Sequence, residues 1–309
     1  MKAIAEAPSK VIITGEHFVV HGAWALAAAI PKKVRVEVKK SDRPVFSSDR
    51  FRARSPSALR PVSMVAEGMG KEFSFRPSFD ISIRSEIPEG AGLGSSASTM
   101  VALTSAIARL HSLKLSLEET VRFSMLGEQD IHGKPSGIDP TTCARGGVIL
   151  FRAGSDPKKL SIKGTRHLLV SDSGRRRSTK RQISRVSGVK DAFPSLFAGL
   201  TESASEVSLM AAKRLVEGDM RTLGRLLSFN HAVLSTLGVS NESLDKLVDL
   251  SISLGSYGAK LTGAGGGGSV VSVSPRGKEK SIISGLKARG YETFRAVVPT
   301  VGVRSWLGP

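Results

Sequence analysis

The chain has 309 residues, enough for two domains or one large one, and its 40% hydrophobic content excludes a disordered protein. Its single cysteine, Cys143, excludes an internal disulfide and a cysteine-built zinc site. The net charge of +18 admits a nucleic-acid binder or an enzyme of anionic substrates; with 5% aromatic residues and scattered cations, the enzyme is favoured and no nucleic-acid partner is expected.

In chain order, residues 11–13 and 34–38 read as strands, the second because Val34, Val36 and Val38 alternate with charged residues. Between them, 19–30 is an apolar run of small residues. Residues 41–78 are polar and punctuated by Arg and Pro, and are expected to form loops and short edge strands. Ile81 and Ile83 mark a strand over 79–85, followed by a glycine-rich loop and a helix to about residue 113. A second helix spans 117–126 and a strand 146–151. Gly, Asp, Pro and Lys cluster at 155–164, so the expected domains are 1–164 and 165–309. Beyond the boundary come a strand at 167–171, a mostly helical stretch over 180–237, and strands at 260–262 and 269–273 around a second glycine loop. A helix at 278–288 and a strand at 293–298 close the chain. The order β, helices, β, β, α, β suits a split βαβ sandwich, and the class is α+β. No apolar run reaches the ~18 residues of a membrane span. The first residues lack the long apolar segment of a signal peptide, so a cytoplasmic protein without a membrane partner is expected.

The most informative stretch is Ile87-Pro88-Glu89-Gly90-Ala91-Gly92-Leu93-Gly94-Ser95-Ser96-Ala97-Ser98-Thr99. Its glycines permit positive φ and close approach of a ligand, and the apolar run after them makes the loop open into a helix N-terminus. Free amides and the positive end of the helix dipole favour an anion there, and Ser95 and Ser96 stand where a hydroxyl could cap the helix or reach a phosphate-bound Mg²⁺. No lysine follows the glycines, which excludes a Walker-type P-loop. The dinucleotide pattern Gly92-x-Gly94-x-x-Ala97 lacks both the immediately preceding strand and the downstream acid of that fold. The second loop, Gly263-Ala264-Gly265-Gly266-Gly267-Gly268-Ser269, holds more glycines than a hairpin turn needs, so a second close backbone approach is expected.

Two further blocks complete the pattern. One is Ala7-Pro8-Ser9-Lys10-Val11-Ile12-Ile13-Thr14-Gly15-Glu16-His17-Phe18-Val19-Val20-His21-Gly22. The other is Gly127-Glu128-Gln129-Asp130-Ile131-His132-Gly133-Lys134-Pro135-Ser136-Gly137-Ile138-Asp139-Pro140. With the two glycine loops, in this order and over nearly the whole chain, they resemble the motifs of the GHMP small-molecule kinases, and within that family those of the mevalonate kinases. The resemblance implies a ribosomal S5 domain 2-like N-terminal domain and a ferredoxin-like C-terminal domain with the active site between them. It implies ATP-dependent phosphorylation of the 5-hydroxyl of (R)-mevalonate, with ATP as co-substrate and Mg²⁺ as cofactor. Glu89, Gly90, Ala91, Gly92, Leu93, Gly94, Ser95, Ser96 and Ala97, with Gly263, Ala264, Gly265 and Gly266, would bind nucleotide. Ser96 and Glu128 would hold the metal, and Asp139 and Lys10 would be catalytic. Lys10, Glu16, His17, Ser136, Asp139, Thr179 and Gly263 would face the substrate.

The chemistry asks for such residues independently: phosphoryl transfer needs a metal across the phosphates, cations for developing charge, and a carboxylate for the hydroxyl proton. Glu128 and Asp139 flank a Gly/Pro-rich turn, so a helix end is expected to present one and a loop the other. Two positions depart from the family pattern: Ser9 replaces a Gly, which would tighten or shift the turn before Lys10, and Phe18 replaces an Ala, which would narrow the pocket or move His17. A GHMP kinase for phosphomevalonate or homoserine, and a non-catalytic ligand sensor of the same fold, are the alternative readings; the intact Lys10, Glu128 and Asp139 argue against the sensor. A homodimer is compatible with the resemblance, but the oligomeric state is not legible in the sequence. The basic cluster 175–181 reads as solvated surface apart from Thr179.

Overall fold

The computed structural model describes residues 1–48, 56–88, 90–133, 135–176 and 178–309. Its first half is built on two long neighbouring strands, β1 (Lys2–Thr14) and β2 (Ala25–Lys40), paired antiparallel. The small residues of the predicted apolar run, Ala25, Ala27, Ala28 and Ala29, are the buried start of β2; they let helices pack closely on the sheet. Strands β3 (Val45–Ser48) and β4 (Phe79–Ser85) extend the sheet beyond β2. On its other stretch, β2 pairs with β5 (Val148–Phe151), which pairs with the short β6 (Lys158–Lys159).

Four helices belong to this half: α1 (Pro56–Phe73), α2 (Ser95–Leu110), α3 (Leu117–His132) and α4 (Ile138–Arg145). Helix α1 corrects the expectation of loops over 41–78. Buried Val62, Val65, Ala66 and Met69 recur at helical spacing, but Pro61 and the surrounding Arg and Pro residues obscured that stripe. Helix α2 is the central helix, buried over most of its circumference and packed on β1 and β2. Helix α3 begins at a capping box: Ser116 accepts from the Glu119 amide at 3.0 Å while the Glu119 carboxylate accepts from the Ser116 amide at 2.7 Å.

The second half holds a four-stranded antiparallel sheet of β7 (Arg166–Asp172), β8 (Gly258–Leu261), β9 (Ser269–Val273) and β10 (Thr293–Val298), in spatial order β10-β7-β9-β8. Its helices are α5 (Thr179–Ala192), α6 (Pro194–Glu217), α7 (Met220–Thr236), α8 (Glu242–Ser253) and α9 (Glu279–Lys287). The strand order fourth-first-third-second, with helices between first and second and between third and fourth, is the ferredoxin-like arrangement. Helix α8, which the sequence reading did not mark, starts at Asn241, whose side chain accepts from the Leu244 amide at 3.0 Å.

The last strand, β11 (Arg304–Gly308), leaves the second sheet and pairs with β1 in the first. The largest apolar cluster likewise runs through both halves, joining Val11, Ile30 and Leu103 to Val170, Ala211 and Val271. Among the described residues no helix is long and apolar enough to cross a membrane.

Candidate active site

Lys10 sits in β1 with only 1% of its side chain exposed. Its backbone amide donates to the Leu93 carbonyl at 3.0 Å, which ties the first glycine loop to the strand. Its ammonium donates to the Gly92 carbonyl at 3.4 Å and lies 3.0 Å from Asp139 Oδ2. Asp139, 30% exposed, stands in the first turn of α4 and opens to the cleft. The two sequence blocks thus meet with a cation and a carboxylate in direct contact. Gly94, at φ 78°, caps α2 in the left-handed region, and a Cβ there would come within 2.9 Å of the Lys10 side chain. This glycine is needed twice, for its backbone and for the space Lys10 occupies. No side chain caps α2, and its first backbone hydrogen bond is Ser98 N–H to Gly94 O at 2.9 Å. The amides of its first turn therefore present an anion site, as any uncapped helix start does.

Glu128 is 2% exposed in the last part of α3, and its Oε1 has no partner among the described residues. Burial, then the neighbouring Asp139 charge, pushes its carboxyl up to about 7; hydrogen bonding from Ser96 opposes the rise. Ser96 Oγ lies 3.3 Å from His132 Nε2, which is itself 3.9 Å from Glu128 Oε2. Both carboxylates therefore ride on helices, not one on a helix and one on a loop as the Gly/Pro-rich turn suggested. The turn is short enough that Asp139 already belongs to α4. His132, one helical turn after Glu128, was missed; its (i, i+4) spacing was the available signal.

A cavity of about 570 Å³ opens between the halves, lined by Lys10, Glu16, His17, Glu128, Ser136, Asp139, Thr179, Gly263 and Ala264 among others. Glu16 is 1% exposed and forms a buried ion pair with Lys260, which is 0% exposed on β8. Burial pushes the Glu16 carboxyl up and the Lys260 ammonium down. His17 holds φ 63°, and its Nε2 lies 3.0 Å from the Ala264 carbonyl. Phe18 points away from the cavity. It is fully buried in the second-half core, its ring 5.6 Å from that of Phe197, so it does not narrow the pocket. Ser9 stands buried within β1, not in a turn, where the pairing with β2 steps from Lys33 to Ile30, and its hydroxyl has no partner among the described residues.

Glu89 lies outside the described residues. Ala91, Leu93 and Ala97 are buried in the apolar core, and none of residues 90–97 lines the cavity. In the second loop, Gly263, Gly265, Gly266, Gly267 and Gly268 all have positive φ. The expected close approach is to the chain itself. A Cβ at Gly265 would meet the Val239 carbonyl at 2.2 Å, at Gly266 the Gln182 amide at 2.2 Å, and at Gly268 the Ala91 carbonyl at 3.0 Å. The two glycine loops therefore abut, while Gly265 and Gly266 pack against α5 and the α7–α8 connection. Thr262, also missed, bridges the halves: its hydroxyl donates to the Ile12 carbonyl at 2.9 Å and accepts from the Ile12 amide at 3.0 Å. A lysine and a threonine inside an apolar strand end, Ala259-Lys260-Leu261-Thr262, were the sign.

Comparison with known proteins agrees with this arrangement. Residues 60–147 match the GHMP kinases N terminal domain model and residues 211–292 the GHMP kinases C terminal model. The chain is 33% identical to a mevalonate kinase of Aeropyrum pernix and 34% identical to one of Thermococcus sibiricus, in both cases over 98% of each chain. The solved structure of L. major mevalonate kinase in complex with R-mevalonate superposes with a TM-score of 0.82 at 29% identity, covering 96% of each chain. A chain alike over its whole length to these enzymes, with the same two-part fold, belongs to the mevalonate kinases of the GHMP kinase family.

Proposed function

We propose that the protein transfers the γ-phosphoryl group of ATP to the 5-hydroxyl of (R)-mevalonate. The observation that carries this reading is the Lys10–Asp139 pair, 3.0 Å apart on the cavity wall, with Lys10 also bonded to the Gly92 and Leu93 carbonyls of the first glycine loop. Asp139 accepts the hydroxyl proton as the oxygen attacks phosphorus, and the Lys10 ammonium stabilises the negative charge that develops between nucleophile and phosphoryl group. The amides of 92–97 bind the phosphates at the α2 N-terminus. His17 faces the mevalonate end, with Ser136, Thr179 and Gly263 on the surrounding wall.

Ser96 and Glu128 fit a magnesium ion. Glu128 is a buried carboxylate with one oxygen unpartnered among the described residues, and the Ser96 hydroxyl bonds to it. One carboxylate and one hydroxyl leave the remaining positions to water and substrate phosphates, as Mg²⁺ prefers. The ion would neutralise phosphate charge during transfer.

The division into 1–164 and 165–309 belongs to this proposal, supported by the membership of the two sheets, with β11 returning to the first domain. The reaction is assigned to the cytoplasm, where ATP is available. A coupled ADP-release screen over mevalonate, phosphomevalonate, homoserine and galactose tests the reading. Turnover with mevalonate at a kcat/KM far above the other three is expected, and preference for any other substrate refutes it.

A further inference from the structure

Three contacts from one short segment grip the wall of the cavity. Thr262 bonds to both backbone groups of Ile12, Ala264 O meets His17 Nε2, and Lys260 makes its buried ion pair with Glu16. All three join β8 and the loop after it, in the second half, to the end of β1 in the first. Between them lies His17 at φ 63°, a left-handed conformation that a residue with a Cβ adopts only where its surroundings impose it. The Ala264 contact fixes the His17 ring from one side. The residue directly before it, Glu16, is fixed by Lys260 from below.

We propose that Lys260 is a positioning residue for the substrate side of the site: through its ion pair with Glu16 it holds the turn of residues 15–17 so that His17 faces the cavity. Lys260 is 0% exposed and does not line the cavity; its ammonium donates to Glu16, which does, and to the Leu261 carbonyl. Lys10 is held by its own bonds to Gly92, Leu93 and Asp139, so the larger effect falls on the acceptor substrate. The kinetic part of the inference rests on the mevalonate reading; the structural part does not.

The experiment compares wild type, Lys260→Met and the double variant Glu16→Gln/Lys260→Met. Three quantities are read: melting temperature, hydrogen exchange of the 12–18 amides, and the separate KM values for mevalonate and ATP. Lys260→Met leaves a buried carboxylate unpaired and lowers the melting temperature. The double variant removes both charges and regains it, while faster exchange at 12–18 persists in both. Mevalonate KM rises about tenfold or more in both, in keeping with the cost of a misplaced binding group, and ATP KM stays within about twofold. Where the single variant fails to fold, the double variant carries the test. Return of both exchange and mevalonate KM to wild-type values in the double variant would show that the pair only stabilises the fold. A parallel rise of ATP KM would equally overturn the proposal. Absence of mevalonate turnover by wild type, with exchange at 12–18 still responding, defeats the substrate reading and leaves the positioning role supported.

Discussion

Replacing Gly94 by Ala perturbs the site in two ways at once. At φ 78° an L-residue costs roughly 1–2 kcal/mol over glycine, which lowers the melting temperature by several degrees at most for a chain of this size. The larger effect falls on chemistry. The new Cβ would lie 2.9 Å from both Cε and Cγ of Lys10, too close for any real contact. Lys10 is 1% exposed and gripped by the Gly92 carbonyl and Asp139, so its side chain cannot swing into solvent. Relief requires the ammonium to shift, and a displacement of about 1 Å breaks a 3.0 Å contact and costs on the order of 10²-fold in rate. Gly90→Ala is the control. It has a similar φ of 73°, but its Cβ would meet Arg176 at ordinary distances of 3.6 Å and beyond. Steady-state kinetics with both substrates, beside thermal melts, should show comparable small losses of stability in the two variants. The kcat should collapse only in Gly94→Ala. Equal kcat for the two, or a Gly94→Ala enzyme with near-normal kcat, refutes the coupling of the loop to Lys10.

Three further outcomes are expected. Glu128, raised from 4.5 to about 7, stabilises the metal-free protein below pH ~4.5, and that contribution is lost as pH rises through 7. The shift corresponds to about 3 kcal/mol, so metal-free wild type should lose stability between pH 5 and 7.5 by urea titration, and Glu128→Gln should show a flatter profile with a higher Mg²⁺ requirement. An unchanged Mg²⁺ titration removes Glu128 from the metal site. His17→Leu should raise mevalonate KM and leave ATP KM nearly unchanged; equal effects on both would make His17 a scaffold residue. Phe18→Ala should cost about 3–5 kcal/mol, the usual price of a buried aromatic, with substrate KM values little altered in the protein that remains folded. A large rise in mevalonate KM instead would put Phe18 in the pocket.

Much of this architecture was legible in the residues. The strands 79–85 and 293–298 are found as read, the first because its apolar residues alternate with a period of two that no helix shares. The glycine loop discharges into α2 because small apolar residues follow it at helical spacing. Helix α1 was hidden because proline and arginine in its sequence mimic loop composition and obscure the stripe of Val62, Val65, Ala66 and Met69. The pairing of β11 with β1 joins residues about 300 positions apart in the sequence, a contact no local pattern encodes. Lys10 and Asp139 could be placed together only through the resemblance, since nothing in either segment names the other. The glycines of the second loop were recognised as a close approach, but composition does not tell a ligand from the protein's own backbone. Gly265 meets the Val239 backbone and Gly266 the Gln182 side chain.

The central claim is that Asp139, held by Lys10, takes the proton of the mevalonate hydroxyl during phosphoryl transfer. Asp139→Asn keeps the shape of the side chain and removes its charge. The decisive measurement is kcat for mevalonate in this variant, taken beside the ATP dissociation constant. The account predicts a fall in kcat of about 10²-fold or more with ATP affinity nearly unchanged. A near-normal kcat, or a loss explained wholly by weakened ATP binding, would contradict it.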